Sequence, residues 1–118
     1  MKKIDIAKYK ENQNKCLKYF EFFSNKDIDG LESMFSDEII LKDWDIFESG
    51  KLNVLQVNII FFSIVDSISI NLINMYCDDQ TVISEIEIVI DNVERIFVVD
   101  IIRFNNSGQI TSIFAYKR

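Results

Sequence analysis

Ile96-Phe97-Val98-Val99-Asp100-Ile101-Ile102-Arg103-Phe104-Asn105-Asn106-Ser107-Gly108-Gln109-Ile110 decides how the rest of the chain is read. Its first nine residues present two apolar faces. Ile96, Val98, Ile102 and Phe104 share the side of Asp100, while Phe97, Val99 and Ile101 point the other way, the pattern of a strand covered on both sides. Asn105-Asn106-Ser107-Gly108 is a hairpin signal, and Gln109 to Lys117 return as the partner strand. Asp100 interrupts the run. An ionised carboxylate loses its hydration on burial, so a carboxyl in these surroundings is paired, hydrogen-bonded or protonated. Val98 and Ile102 flank it on its own face, which favours the neutral acid, and a neutral acid donates a hydrogen bond.

Working back from this strand, Asp91-Asn92 begin the turn into Arg95 to Phe104, and Val82 to Ile90 form the preceding strand. Asp78-Asp79-Gln80 is a turn. Before it, Ile68, Ile70 and Leu72 alternate with Ser67, Ser69 and Asn71, the period of a half-buried strand. Leu52 to Val65 read as a helix that starts at Ser49-Gly50 and turns Leu52, Leu55, Ile59 and Phe62 inward. Glu38 to Asp43 read as a strand. Asp27 is the N-cap of a short helix carrying Ile28, Leu31, Met34 and Phe35, which Ser36-Asp37 end. Residues 4 to 24 form the first helix, with Cys16, Tyr19, Phe20 and Phe23 at three- and four-residue spacing. The order is helix, helix, strand, helix, then an antiparallel run of long strands. It predicts an α+β fold with helices on one face of the sheet. The other face, with Phe97, Val99 and Ile101, calls for a second cover, and a second copy of the chain is the expected one, giving a homodimer.

The 118 residues predict one domain spanning 1–118, with apolar content of 48% and a formal charge of −6. That charge argues against nucleic acid and anionic membrane surfaces, both of which reward Lys and Arg. Met1-Lys2-Lys3 is followed by Asp5 rather than an apolar core, and no apolar run approaches a membrane span. With two cysteines in apolar surroundings, a reduced, cytoplasmic protein is expected. The chain has no histidine, which excludes Ser-His, Cys-His and His-metal chemistry. Its three glycines build no phosphate loop. Asp27-Ile28-Asp29-Gly30 begins like a calcium loop but lacks the later ligands. No metal and no cofactor are expected.

Two segments in this order resemble a known family. Tyr19-Phe20-Glu21-Phe22-Phe23-Ser24-Asn25-Lys26-Asp27-Ile28-Asp29-Gly30-Leu31-Glu32-Ser33-Met34-Phe35-Ser36-Asp37-Glu38 resembles the opening of nuclear transport factor 2-like, or SnoaL-like, proteins. Val98 to Ile110 resembles their last hairpin. The resemblance implies a cystatin-like α+β cone, a curved, largely antiparallel sheet wrapped over about three helices with a pocket inside. Within that superfamily the chemistry most similar is that of ketosteroid isomerase. Its helix tyrosine, catalytic aspartate and oxyanion-hole aspartate fall on Tyr19, Asp43 and Asp100. By resemblance, Asp43 is the base that moves a proton α to a carbonyl, and Tyr19 and protonated Asp100 donate to the enolate oxygen. The segment between Asp43 and Asp100 is slightly shorter than in the isomerase, which implies a smaller pocket.

The residues themselves lead the same way. Tyr19 lies on an inward aromatic stripe and needs a partner for its hydroxyl. Two donors aimed at one point make an oxyanion hole, and a third carboxyl completes a site for enolisation. The expected site is Asp43, Tyr19 and Asp100, in a pocket walled by Trp44, Phe23, Phe61, Phe62, Val98 and Ile102, for a small apolar or carbonyl-bearing ligand. Two readings stand beside this cofactor-free isomerase: a pocket that binds an apolar ligand without catalysis, and a filled cone that works through its outer sheet face.

Overall fold

The computed structural model describes residues 6–118. The first helix, expected from residue 4, runs Ile6–Ser24 (α1), and residues 4 and 5 lie outside the described residues, as does the rest of the Met1 to Asp5 segment. It is followed by α2 (Ile28–Met34), β1 (Phe35–Lys42), β2 (Phe47–Ser49), α3 (Lys51–Ile64), β3 (Ile68–Cys77), β4 (Thr81–Ile90), β5 (Glu94–Phe104) and β6 (Ile110–Lys117). Three helices thus pack on a six-stranded mixed sheet among the described residues, the α+β class expected. The strand order is β2-β1-β6-β5-β4-β3.

Local chemistry sets most of these boundaries. Asp27 caps α2, its side chain accepting from the Gly30 N–H at 2.9 Å. A Cβ on Gly30 would lie 2.6 Å from the Phe22 ring, so glycine lets α1 and α2 touch there. Asp91 and Asn92 adopt φ of 56° and 59°, the left-handed pair at the centre of the turn that the Val93 N–H closes onto the Ile90 carbonyl at 3.0 Å, joining β4 to β5. Gly108, at φ 77°, closes the β5–β6 hairpin.

Three features depart from expectation. Ser36 and Asp37 do not end α2; they belong to β1, because Phe35 is already extended, fully buried and paired with Ile110. The inward face of α3 is rotated: Val54, Leu55, Asn58 and Phe62 are buried, whereas Leu52 is 82% and Ile59 43% exposed. A helix apolar nearly all round carries no periodic signal to fix its phase. The strands β3 to β6 are antiparallel as expected, but β1 joins β6 in parallel, and the short β2 was not foreseen.

The core lies between the helices and one sheet face, built from Leu31, Phe35, Ile39, Val54, Val82, Ile86, Ile102 and Ile110 with the α1 stripe. Register shifts between Leu72 and Asn74, and between Arg103 and Phe104, mark bulges, which bend the strands that carry them. No described helix is long and apolar enough to cross a membrane.

Candidate functional site

Asp100 sits mid-strand in β5, opposite Ser84 of β4 and Ala115 of β6. It faces the helices and is 7% exposed. Its cross-strand neighbours are small, so space opens above the carboxyl, with Val98 beside it on the same face. The buried Ser84 hydroxyl meets Cys16 of α1 at Oγ–Sγ 3.6 Å. No hydrogen bond reaches the Asp100 side chain from the described residues. Burial, with a smaller contribution from the negative charge of Asp43, raises its pKa to about 7. Near neutrality a large share of Asp100 therefore carries a proton.

Tyr19 enters from α1, held among the rings of Phe20, Phe23 and Phe35 at centroid distances of 5.7, 6.0 and 6.4 Å. It is buried, and its hydroxyl likewise has no hydrogen bond among the described residues. Burial first, then Asp100 and Cys16, push its pKa well above the usual tyrosine value, so it stays protonated. Cys16 is similarly inert: burial drives its thiol up to about 12, against the opposing Ser84 hydrogen bond.

Asp43 follows the last residue of β1, in the turn into β2. Its N–H donates to the Ile46 carbonyl at 2.9 Å, and its Oδ1 accepts from the N–H groups of Asp45 (2.8 Å) and Ile46 (2.7 Å). The turn fixes the carboxylate and engages one of its oxygens. Oδ2 takes no part in it.

These three side chains line one cavity of about 180 Å³. Its walls are apolar, chiefly Ile86, Ile88, Ile96 and Ile113 of the sheet, with Phe23 and Phe61 from the helices. Trp44, 41% exposed with the Lys117 ammonium 5.3 Å from its ring centroid, stands at the rim. Of the expected wall residues, Trp44, Phe23, Phe61 and Val98 line the cavity. Phe62 and Ile102 do not. Successive helical residues point about 100° apart, so Phe61 faces the cavity and Phe62 turns into the core, edge-on to Phe23 at 5.0 Å. Ile102 is fully buried in the core farther along β5.

Sequence reasoning missed Asn58. It lies on α3, 6% exposed, and lines the same cavity. The signal was the one used for Asp100, a lone polar residue in an apolar run, here Val57-Asn58-Ile59-Ile60-Phe61-Phe62.

An apolar cavity of about 150 Å³ takes up benzene. The present one therefore has room for a single ring rather than a fused-ring steroid. Arg103, by contrast, leaves on the opposite face of β5, over the Phe114 ring at 5.4 Å, and cannot stand between inward acids.

No protein-family model and no curated protein match the chain. Solved structures do. A SnoaL-like protein of unknown function from Burkholderia thailandensis superposes with a TM-score of 0.80 at 13% identity, covering 99% of each chain. The fold is that of the nuclear transport factor 2-like and SnoaL-like proteins. A ketosteroid isomerase candidate from Kribbella flavida gives 0.81 at 11% identity, over 93% of this chain and 79% of that one. An LEH-like epoxide hydrolase from M. tuberculosis gives 0.80 at 14%, over 93% and 84%. At such identities the likeness is one of fold, and this fold carries more than one chemistry.

Proposed function

We propose that the cavity binds a single-ring carbonyl compound and moves a proton α to its carbonyl, as a cofactor-free isomerase of the ketosteroid isomerase type. One observation carries this reading. Two buried side chains able to donate, Tyr19 and Asp100 in its protonated form, face one apolar cavity, and neither is hydrogen-bonded to the described residues. Donors held ready in a dry site stabilise developing negative charge far better than they would in water. In the reaction the Asp43 carboxylate removes the α-proton of a β,γ-unsaturated ketone. The C–H electron pair becomes the new C=C bond of a dienolate, and the carbonyl π pair moves onto oxygen, where Tyr19 and Asp100 donate. Asp43 then returns the proton to the γ-carbon, giving the conjugated ketone with no net gain or loss of atoms.

The test is isomerisation of cyclohex-3-en-1-one, followed by the ultraviolet absorbance of the conjugated product. Wild type should turn it over, and Asp43→Asn should lose about 10²- to 10⁴-fold, the usual worth of a general base. An inactive wild type, or an Asp43→Asn variant of full activity, overturns the proposal.

A second reading draws on the turn at Asp43. Its Oδ1 holds the turn N–H groups of Asp45 and Ile46, a structural role that needs no catalysis. On that reading the cavity stores or senses a ligand through Tyr19 and Asp100, and Asp43→Asn leaves affinity intact while no turnover is found. Either version is proposed to act as a homodimer through the outer sheet face, where Phe97, Val99 and Ile101 are only half-buried.

A further inference from the structure

We propose that Asn58 is a second polar anchor in the cavity, and that the ligand is a single-ring carbonyl compound bearing another hydrogen-bonding oxygen, apart from the one held by Tyr19 and Asp100. The inference rests on the oxyanion reading of Tyr19 and Asp100 for the first oxygen.

Two asparagines of the described chain are buried, and they differ. Asn12 donates from Nδ2 to the Asp79 carbonyl at 2.9 Å, tying α1 to the β3–β4 turn. Asn58 makes no such tie, and among the described residues no hydrogen bond reaches its amide. Nor does it bond back to its own helix, as Asn53 does to the Ser49 carbonyl at 3.0 Å. Yet it is 6% exposed and lines the cavity. Ser36 Oγ is the one sealed side-chain polar atom without a partner among the described residues. The Asn58 amide is thus not sealed off but opens on the cavity, where a leucine would leave no polar group to bond what enters. The amide is therefore left free to bond what enters the cavity.

Its placement separates it from the oxyanion donors. Tyr19 comes from α1 and Asp100 from β5, whereas α3 packs on α2, β1 and β2. No hydrogen bond links Asn58 to Asp100 or Tyr19 among the described residues. The amide is thus free to address a different atom of the ligand. With one carbonyl acceptor and two N–H donors, it suits a hydroxyl or a second carbonyl. The cavity volume admits one ring carrying both oxygens on it or on its immediate substituents.

The test is calorimetric binding of phenol, a stand-in for the enolate oxygen, beside catechol, resorcinol and hydroquinone. These place a second oxygen at each ring position. Wild type should bind at least one diol tenfold or more tightly than phenol (about 1.4 kcal/mol). Asn58→Leu should abolish that preference and leave phenol affinity within about threefold, a split that a merely structural residue would not produce. Should Asn58→Leu fail to fold, Asn58→Ala and the wild-type ligand series carry the same comparison. The inference is overturned if no diol outbinds phenol on wild type, or if Asn58→Leu weakens phenol and diol alike. Phenol that fails to bind wild type, or binds Tyr19→Phe equally well, overturns the oxyanion reading beneath it as well, and so tells the two failures apart.

Discussion

Asp100→Asn is expected to stabilise the protein at pH 8 and to leave it nearly unchanged at pH 4. The carboxyl has a pKa of 3.8 when unperturbed and about 7 in the folded chain. Below 3.8 both states hold the proton, and the buried acid opposes folding no more than an amide would. Between 3.8 and 7 the folded state keeps a proton that the unfolded state has released, so stability falls as pH rises. Above 7 the folded protein carries a buried anion, and the full loss persists. The gap amounts to about 4 kcal/mol at 1.36 kcal/mol per pH unit, which is a large part of the stability of a domain this size. Asparagine keeps the shape and polarity but cannot ionise. Urea unfolding of wild type and variant at pH 4, 6 and 8 reads the difference, because the other acidic groups are common to both and, apart from Asp43, whose charge acts on Asp100, cancel. Equal pH dependence in the two proteins would mean that Asp100 is solvated or paired, and would refute the reasoning.

Other expectations follow from the same contacts. Asp43→Asn should lower the Asp100 pKa without restoring its ordinary value, since burial is the larger cause and the Asp43 charge the smaller; ¹³C chemical shifts of the carboxyl report it, and no change would separate the two groups. The asparagine can still accept the turn N–H groups, so the turn itself should hold. Phe35→Ala should cost about 3–5 kcal/mol in urea unfolding, because Phe35 is fully buried and packs against Tyr19; a loss under 1 kcal/mol would mean that the site collapses around it. On the proposed homodimer reading, wild type should sediment as a dimer and Val99→Lys, on the outer face of β5, as a monomer while circular dichroism stays unchanged; a monomeric wild type, or a variant that remains dimeric, would count against this face as the interface.

Much of this molecule is legible residue by residue. The Asp27 cap, the Asp91-Asn92 and Asn105 to Gly108 turns, and the period-two strands are local devices, set by backbone sterics and by side chains a few positions apart, so they appear in the sequence and recur in the fold. Asp100 and Asn58 carry one signature, a lone polar residue inside an apolar run. It is readable in the strand, where alternation gives each residue a face, and hidden in α3, where an apolar residue lies in almost every direction. For the same reason the phase of α3 differs from expectation at Leu52 and Ile59, and Phe62 lies in the core rather than the cavity. The parallel pairing of β1 with β6 joins residues far apart in the chain, and no local pattern encodes it. Local patterning thus settles most of the elements, though not the three-residue β2, and which acid is out of place. That Tyr19, Asp43, Asn58 and Asp100, drawn from two helices, a turn and a strand, line one cavity is settled in three dimensions alone, because burial and convergence are products of long-range packing.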